Sequence, residues 1–271
     1  NPNALRALVN SDKEEDQELI RKLREKSFEQ EYSSQLDDDI RVPPDKAKLV
    51  KLNSNQLYLL RQHLNKLPTT PHPTVVTFNS LKGGGNKTST SAHFAQYLAL
   101  MGYKVLFIDT DPQGSGSRMF LSNQGVNVND DETISPIVLP TEFCALDEDN
   151  NPIPPEEREF PGEYDENYNL IVKPSKTGFD NIDIIPANFG VSFAEYKIPH
   201  YLFSDESQLS RKDLWLLLDT YIKRYCQGYD AIIIDTPPST SYVSNIVLHA
   251  TDIVVSPTPT RVLSFDAGAK Y

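Results

Sequence analysis

The sequence is poor in cysteine. Only Cys144 and Cys226 occur in 271 residues, too few for a disulfide framework or a four-cysteine metal site, so a reducing cytoplasm is the default expectation. No run approaches the roughly 18 apolar residues of a membrane-spanning helix, which excludes an integral helical membrane protein. The opening residues, NPNALRALVN, lack the basic-then-apolar order of a secretory signal. His63, His72, His93, His200 and His249 show no metal-ligand spacing. Basic charge is also scarce: 26 Lys and Arg stand against 38 Asp and Glu, a net charge of −12. The deficit is uneven. Residues 121–175 hold 13 acids against Arg158 and Lys173, whereas residues 1–70 hold 12 charges of each sign. A protein coated in basic surface is excluded, but a local nucleic-acid site elsewhere is not.

Thirty-eight per cent hydrophobic and 24% charged residues suit a globular protein, and the length suits one large α/β domain with an appendage, or two modest domains. Residues 1–70 read as helical. Ser11 and Glu14 fit a capping box that opens a charged helix through about residue 35, with Leu19, Ile20, Leu23 and Phe28 on one side. A second helix starts near Asn53 or Ser54, carries Leu57, Leu60, Leu64 and Leu67, and stops before Pro68. Such leucine faces pack against the same chain or against a partner. Within this helix, Arg61, His63 and Lys66 form the best candidate for a DNA-reading surface.

The stretch 68–74, PTTPHPT, reads as a linker to a second unit over 71–271. There, TVVTFN (74–79), KVLFID (104–109), IDIIP (182–186), AIIID (231–235) and IVVS (253–256) read as five strands, with helices over 87–101 and 213–226. Short continuous apolar runs alternating with helices predict a mostly parallel sheet buried on both faces, an α/β fold of the P-loop NTPase kind. Trp215 reads as a core residue, and Arg211, Lys212, Lys223 and Arg224 as a solvated helix face or a DNA contact. Residues 122–180, acidic and proline-rich, read as a long, partly disordered surface insertion.

The informative stretch is SLKGGGNKTS, residues 80–89, between a strand and a helix. That context turns backbone N–H groups and a helix's positive end toward an anion. Gly83, Gly84 and Gly85 allow a tight curl, Lys87 is spaced to reach β- and γ-phosphates, and the Thr88 hydroxyl is spaced to ligate Mg²⁺. The standard pattern G-x-x-x-x-G-K-S/T does not fit, because Leu81 and Asn86 replace its glycines; K-G-G-x-x-K-S/T does, with Lys82 as an extra lysine. Asn tolerates a left-handed backbone, so the turn is expected to survive. Asp109 and Asp111, two apart at the end of a strand, are expected to face one side and address a metal or its waters; Asp235 ends a second apolar strand in the same manner. The alternative is that these acids cap the turns after the strands.

On the residues KGGGNKTSTSAHFAQYLALMGYKVLFIDTDPQGSGS, DNIDIIPANFGVSFAEYKIP, YDAIIIDTPPS and TDIVVSPTP, the chain resembles the ParA/SopA/RepA type I partition ATPases of the deviant-Walker group that includes MinD. The likeness covers about residues 74–271, and NIDIIPAN and AEYKIP resemble the larger plasmid members best. It implies a Mg²⁺-dependent ATPase, cytoplasmic and nucleoid-associated, that cycles ATP and ADP, forms a sandwich homodimer, binds DNA and answers to a centromere-binding ParB-like partner; a MinD-like membrane role would need a terminal amphipathic helix, and none is visible, so no membrane partner is expected. It further implies that Lys82 reaches the partner subunit's nucleotide, that Lys87, Thr88 and the backbone of residues 83–89, Ser89 included, hold phosphates, that Asp109 and Asp235 serve the metal with Thr88, and that Asp111 orients the attacking water. Family members continue beyond the PTP stretch, so the resemblance implies a chain that stops short of the last strands at Tyr271 and leaves a sheet edge open. Large members also carry a DNA-reading unit before the ATPase domain. A redox member of the same fold would need clustered cysteines that are not there; a nucleotide-regulated repressor of its own operon is the remaining alternative.

Overall fold

The structure, a computed structural model, describes residues 8, 10–31, 52–80, 84, 86–121, 128–139, 153–154, 163–166, 170–202 and 211–258. Lys82, Gly83, Gly85, Cys144 and parts of the expected 122–180 insertion lie outside them.

In chain order the elements are α1 (Glu14–Glu31), α2 (Ser54–His63), β1 (Thr74–Phe78), α3 (Lys87–Met101), β2 (Val105–Asp109), α4 (Ser115–Leu121), a 3₁₀ turn (Asp130–Glu132), α5 (Ser135–Val138), β3 (Ser175–Lys176), β4 (Ile182–Ile185), α6 (Gly190–Leu202), α7 (Arg211–Trp215), α8 (Leu217–Tyr225), β5 (Ala231–Asp235), α9 (Tyr242–His249) and β6 (Ile253–Val255). The strands form one sheet in the order β3-β4-β2-β5-β1-β6. All pairings are parallel except that of β3 with β4.

The expected parallel sheet is thus present, and its residue pattern explains it. Successive side chains on a strand face opposite ways, and here both ways lead into core. Leu106, Ile108, Ile232 and Ile234 join α5, α6, α8 and α9 on one face. Val105, Phe107, Ala231 and Ile233 join α3 and α4 on the other. A strand buried on both faces has no place for a polar alternation, which is why these runs are continuously apolar.

Several expectations are corrected. Helix α1 starts at Glu14, and the Ser11 hydroxyl donates to Asp16 (2.5 Å) rather than capping. The capping box lies instead at α2, between Asn53 and Gln56. The leucine stripes meet each other: Leu19, Ile20 and Leu23 pack with Leu59, Leu60 and Leu64. Residues 68–74 do not hang free of the second unit, because Thr70 donates to Asp230 (3.0 Å) and Pro68 lies against Gly102. Helix α2 is pinned to the same unit by Asn55, which bonds Gly178 O (3.0 Å) and Asp180 N (2.9 Å).

The 122–180 stretch is not wholly surface. Ile134, Ile137, Val138, Leu139, Leu170 and Val172 are buried in the main core. Its acidic composition hides two short apolar segments. Edge strand β3 escapes detection because it is two residues long and polar. The expected helix over 213–226 breaks at Leu216 into α7 and α8. Trp215 is partly buried against the core and stacks on Tyr242 and His249 (centroids 6.1 and 5.9 Å).

Candidate nucleotide site

The carboxyl ends of β1, β2 and β5 lie side by side, with Asp109 paired to Asp235 and Phe78 paired to Asp235 across the ladders. Two threonines lock the strand ends together. Thr110 donates its N–H and hydroxyl to Asp235 O (2.9 and 2.8 Å), and the Thr236 hydroxyl donates to Phe78 O (2.9 Å). This rim of an open α/β sheet is where such folds bind ligands.

Helix α3 begins over the rim. Asn86, its N-cap, sits at φ 55°, ψ 26°, the left-handed conformation expected where a glycine is missing, and makes no side-chain cap bond. Gly84 also has positive φ (74°). An uncapped helix N-terminus leaves N–H groups for an anion. Lys87, the first helical residue, is buried and donates through Nζ to Ser80 O (3.0 Å). Burial lowers its pKa, while Asp235 and Asp111 pull it back up. Thr88 is half-buried on the turn below, and Ser89 is exposed.

The three acids divide into different environments. Asp109 is fully buried, and both its oxygens are engaged: Oδ1 accepts Asp111 N–H (3.1 Å), and Oδ2 accepts the N–H and hydroxyl of Ser117 (2.7 and 2.8 Å). Burial pushes its carboxyl up to about 6 despite these bonds. The expected pairing of Asp109 with Asp111 on one strand face is corrected, because β2 ends at Asp109 and Asp111 lies in the turn beyond it. There Asp111 is half-exposed and accepts Gln113 N–H (2.9 Å). Gly116 allows this arrangement: a Cβ there would stand 2.8 Å from the Phe107 ring and 3.1 Å from Asp109 Oδ2.

Asp235 is fully buried, and neither carboxylate oxygen completes a hydrogen bond. Burial pushes its pKa up to about 7; the hydroxyls of Thr88 and Ser91 draw it partly down, and Asp109 and Asp111 raise it further. A buried carboxylate whose oxygens complete no hydrogen bond, beside a threonine hydroxyl, has the chemistry of a hard divalent cation's oxygen ligands. Among the described residues no group of three or more His, Cys, Asp or Glu could hold a metal. Sequence reading misses Ser91, Ser117, Thr110 and Thr236. All four are small hydroxyl residues whose signal is only their position next to the acids.

A family model described as an AAA domain matches residues 73–269. SopA of Escherichia coli K12 is 28% identical over 200 residues, covering 73% of this chain and 44% of SopA. Sporulation initiation inhibitor protein Soj of Bacillus subtilis is 29% identical over 183 residues, covering 68% and 57%. The structure of apo McdA from Cyanothece has a TM-score of 0.51 at 22% identity over 73% of this chain and 63% of that one, a likeness of fold. The chain spans 38–44% of the length of three curated relatives that it matches. With the glycine-rich turn, the parallel sheet and the acids at its rim, these matches show that the chain belongs to the AAA-domain family of ParA/MinD-type partition ATPases.

Proposed function

We propose that this chain is an ATP-dependent DNA partition ATPase, in which ATP binding drives a sandwich homodimer that binds DNA and hydrolysis resets it. The observation that carries the reading is Asp235, a buried carboxylate whose oxygens complete no hydrogen bond, beside the Thr88 and Ser91 hydroxyls and the N-terminus of α3. In this reading Lys87 leaves Ser80 O for the β- and γ-phosphates, which compensate its buried charge far better than a carbonyl does. The backbone around Gly83, Gly84, Gly85, Asn86 and Ser89 wraps the phosphate chain. Thr88 and Asp235 hold Mg²⁺, which would neutralise developing phosphate charge when bound.

Asp111, on the open side of the rim, orients the water that attacks the γ-phosphorus in line with the departing ADP. Asp109, expected with Asp235 in the metal shell, has both oxygens engaged by Asp111 N–H and Ser117 and acts one step back in this reading: those bonds set the turn that presents Asp111. Lys82 reaches the nucleotide of the second subunit, so the last cation arrives only with assembly. The family resemblance motivates the remaining assignments to this chain: DNA, a centromere-binding ParB-like partner, and a cytoplasmic, nucleoid-associated location. No described helix is long and apolar enough to cross a membrane. A DNA-reading role for α2, as a repressor would need, gains nothing from its geometry. Its His63 faces Asp16 (2.7 Å), and its Arg61 lies against Gly102.

The test is the ATPase rate of the chain against added non-specific duplex DNA over a salt series. Stimulation that fades as salt rises is expected, because phosphate contacts release counterions. No hydrolysis with or without DNA, or a rate indifferent to DNA at every salt, would overturn the reading.

A further inference from the structure

Helix α9 follows the strand that carries Asp235, and the N–H groups of its first turn are all engaged. Such groups have no partner inside their own helix. Ser241 caps the helix by accepting Ser244 N–H (3.1 Å). The two ahead of it go to Glu195 of α6: Tyr242 N–H to Oε2 and Val243 N–H to Oε1, both at 3.0 Å. Asn245 N–H then makes the first bond within the helix, to Ser241 O (3.1 Å). One carboxylate from a different helix thus occupies the place of an anion, favoured by charge-assisted bonds and by the helix dipole. The start of α3 differs, because Asn86 makes no side-chain cap bond there.

Glu195 holds the far end of the loop that leaves Asp235. Residues 236–241 join β5 to α9. At the near end the Thr236 hydroxyl donates to Phe78 O (2.9 Å). At the far end the Ser244 hydroxyl donates to Ser239 O (3.1 Å), which ties the loop to the turn that Glu195 grips. Between these ties, Pro237 and Pro238 have fixed φ, so a shift at the start of α9 is passed back along the loop rather than absorbed. Asp235 is sensitive to such a shift, because its oxygens complete no hydrogen bond that would aim the carboxylate independently of its backbone. Helix α6 is tied to the other buried acid as well: just before it, Ala187 N–H donates to the Ser117 hydroxyl (2.9 Å) that holds Asp109.

We infer that Glu195 is a positioning residue for the nucleotide site: by clamping the start of α9 it sets the loop after Asp235 and so aims that carboxylate at the cation of a metal–triphosphate. The inference rests on the reading of Asp235 as a Mg²⁺ ligand and names what aims it. Glu195 acts through α9 and not by touching metal or nucleotide. Lys87 and the turn before α3 stand on a different strand end, so the phosphate cradle does not depend on this clamp. Loss of the clamp therefore weakens the metal-dependent part of nucleotide binding and spares the metal-free part.

The experiment is calorimetric titration of the 271-residue chain with ATP, in EDTA and over a series of Mg²⁺ concentrations, for the parent, Glu195→Ala and Glu195→Gln. In the parent, ATP affinity should rise with Mg²⁺. Glu195→Ala should need at least about tenfold more Mg²⁺ for half of that rise, as expected for losing hydrogen bonds to a charged group, with its affinity in EDTA within about twofold of the parent's. Glu195→Gln keeps the shape and one acceptor oxygen and should fall between the two. Trp215, the single tryptophan, stacks on Tyr242 and reports whether the start of α9 is seated, so its emission should shift in Glu195→Ala and less in Glu195→Gln. If Glu195→Ala does not fold, Glu195→Gln carries the same comparison, a raised Mg²⁺ midpoint with EDTA affinity kept. Emission and Mg²⁺ midpoint matching the parent's overturn the inference and leave the reading of Asp235 standing. So does a loss of affinity that is equal in EDTA and in Mg²⁺, which would mark Glu195 as a packing contact alone. A parent chain whose ATP affinity ignores Mg²⁺ overturns the reading of Asp235 and this inference with it.

Discussion

Replacing Asp235 with Asn should stabilise the nucleotide-free chain above neutral pH while abolishing its response to Mg²⁺-ATP. Folding takes this carboxyl from an ordinary value near 3.8 to about 7, chiefly through burial. A carboxyl whose folded pKa is raised costs nothing at a pH below its unfolded value, where both states are protonated. The cost grows as pH rises between the two values and is complete above the folded one. The shift of about 3 units corresponds to about 4 kcal/mol at pH 8, at 1.36 kcal/mol per unit. An Asn carries no charge but keeps a buried amide, which costs about 1–3 kcal/mol if unpaired. The net gain for Asp235→Asn at pH 8 is therefore about 1–3 kcal/mol, and it should shrink toward zero or reverse at pH 4. Thermal unfolding in EDTA at both pH values reads this as a melting temperature for the variant that is several degrees higher at pH 8 only. Adding Mg²⁺ and ATP should then raise the parent's melting temperature and leave the variant's in place. A stability difference that does not change with pH would refute the buried, unpaired carboxylate.

Other substitutions separate the roles at the rim. Lys87→Ala removes a charged phosphate donor worth about 1.5–3 kcal/mol, so ATP affinity by calorimetry should fall at least tenfold; unchanged affinity would contradict the assignment. Asp111→Ala should preserve ATP affinity and slow turnover, because Asp111 lies off the cradle on the half-exposed turn; an affinity loss matching that of Lys87→Ala would reject water positioning. Gly116→Ala forces a methyl into the 2.8 Å gap against Phe107 and should destabilise the fold by about 1–3 kcal/mol in urea; a neutral effect would show that α4 can shift without disturbing Asp109.

The sequence carries the sheet well, because its strands advertise burial on two faces in unbroken apolar runs. It carries the cradle well too: a left-handed Asn86 is expected from the absence of a glycine, and the backbone adopts it. What it hides has physical reasons. Residues 134–139 and 170–172 are core segments embedded in acidic sequence, so composition averaged over a long stretch misreads them. Helices α4, α6 and α9 leave no clear periodic signal. Helix α6 contains Pro199 and, with Phe189 just before it, displays Phe193 and Tyr196 outward, so its outer face lacks the polar stripe that marks an ordinary amphipathic helix. The division of labour between Asp109 and Asp235 is invisible because both end apolar strands with the same residue. The two differ in the chain that leaves each strand. Asp109 is met by Ser117 from α4, whereas the chain after Asp235 turns its Thr236 to Phe78 O and offers the carboxylate no donor of its own.

That difference also explains why the rim suits a nucleotide-driven cycle. Asp109, Asp111 and Asp235 crowd one another, while the charge of Lys87 reaches Asp235 and Asp111 from the start of α3. Without ligand, Asp235 holds its proton more tightly and Lys87 rests on a backbone carbonyl. A triphosphate alone would add negative charge and worsen the crowding; a divalent cation alone would leave Lys87 on its backbone carbonyl. Bound together, the two give Lys87 an anion and Asp235 a cation. The local electrostatics therefore favour a metal–triphosphate pair over either component, and the chain should bind ATP far more tightly with Mg²⁺ than in EDTA. Calorimetric titrations in the two buffers measure that difference; equal affinity in both would mean that Asp235 has no cation to serve.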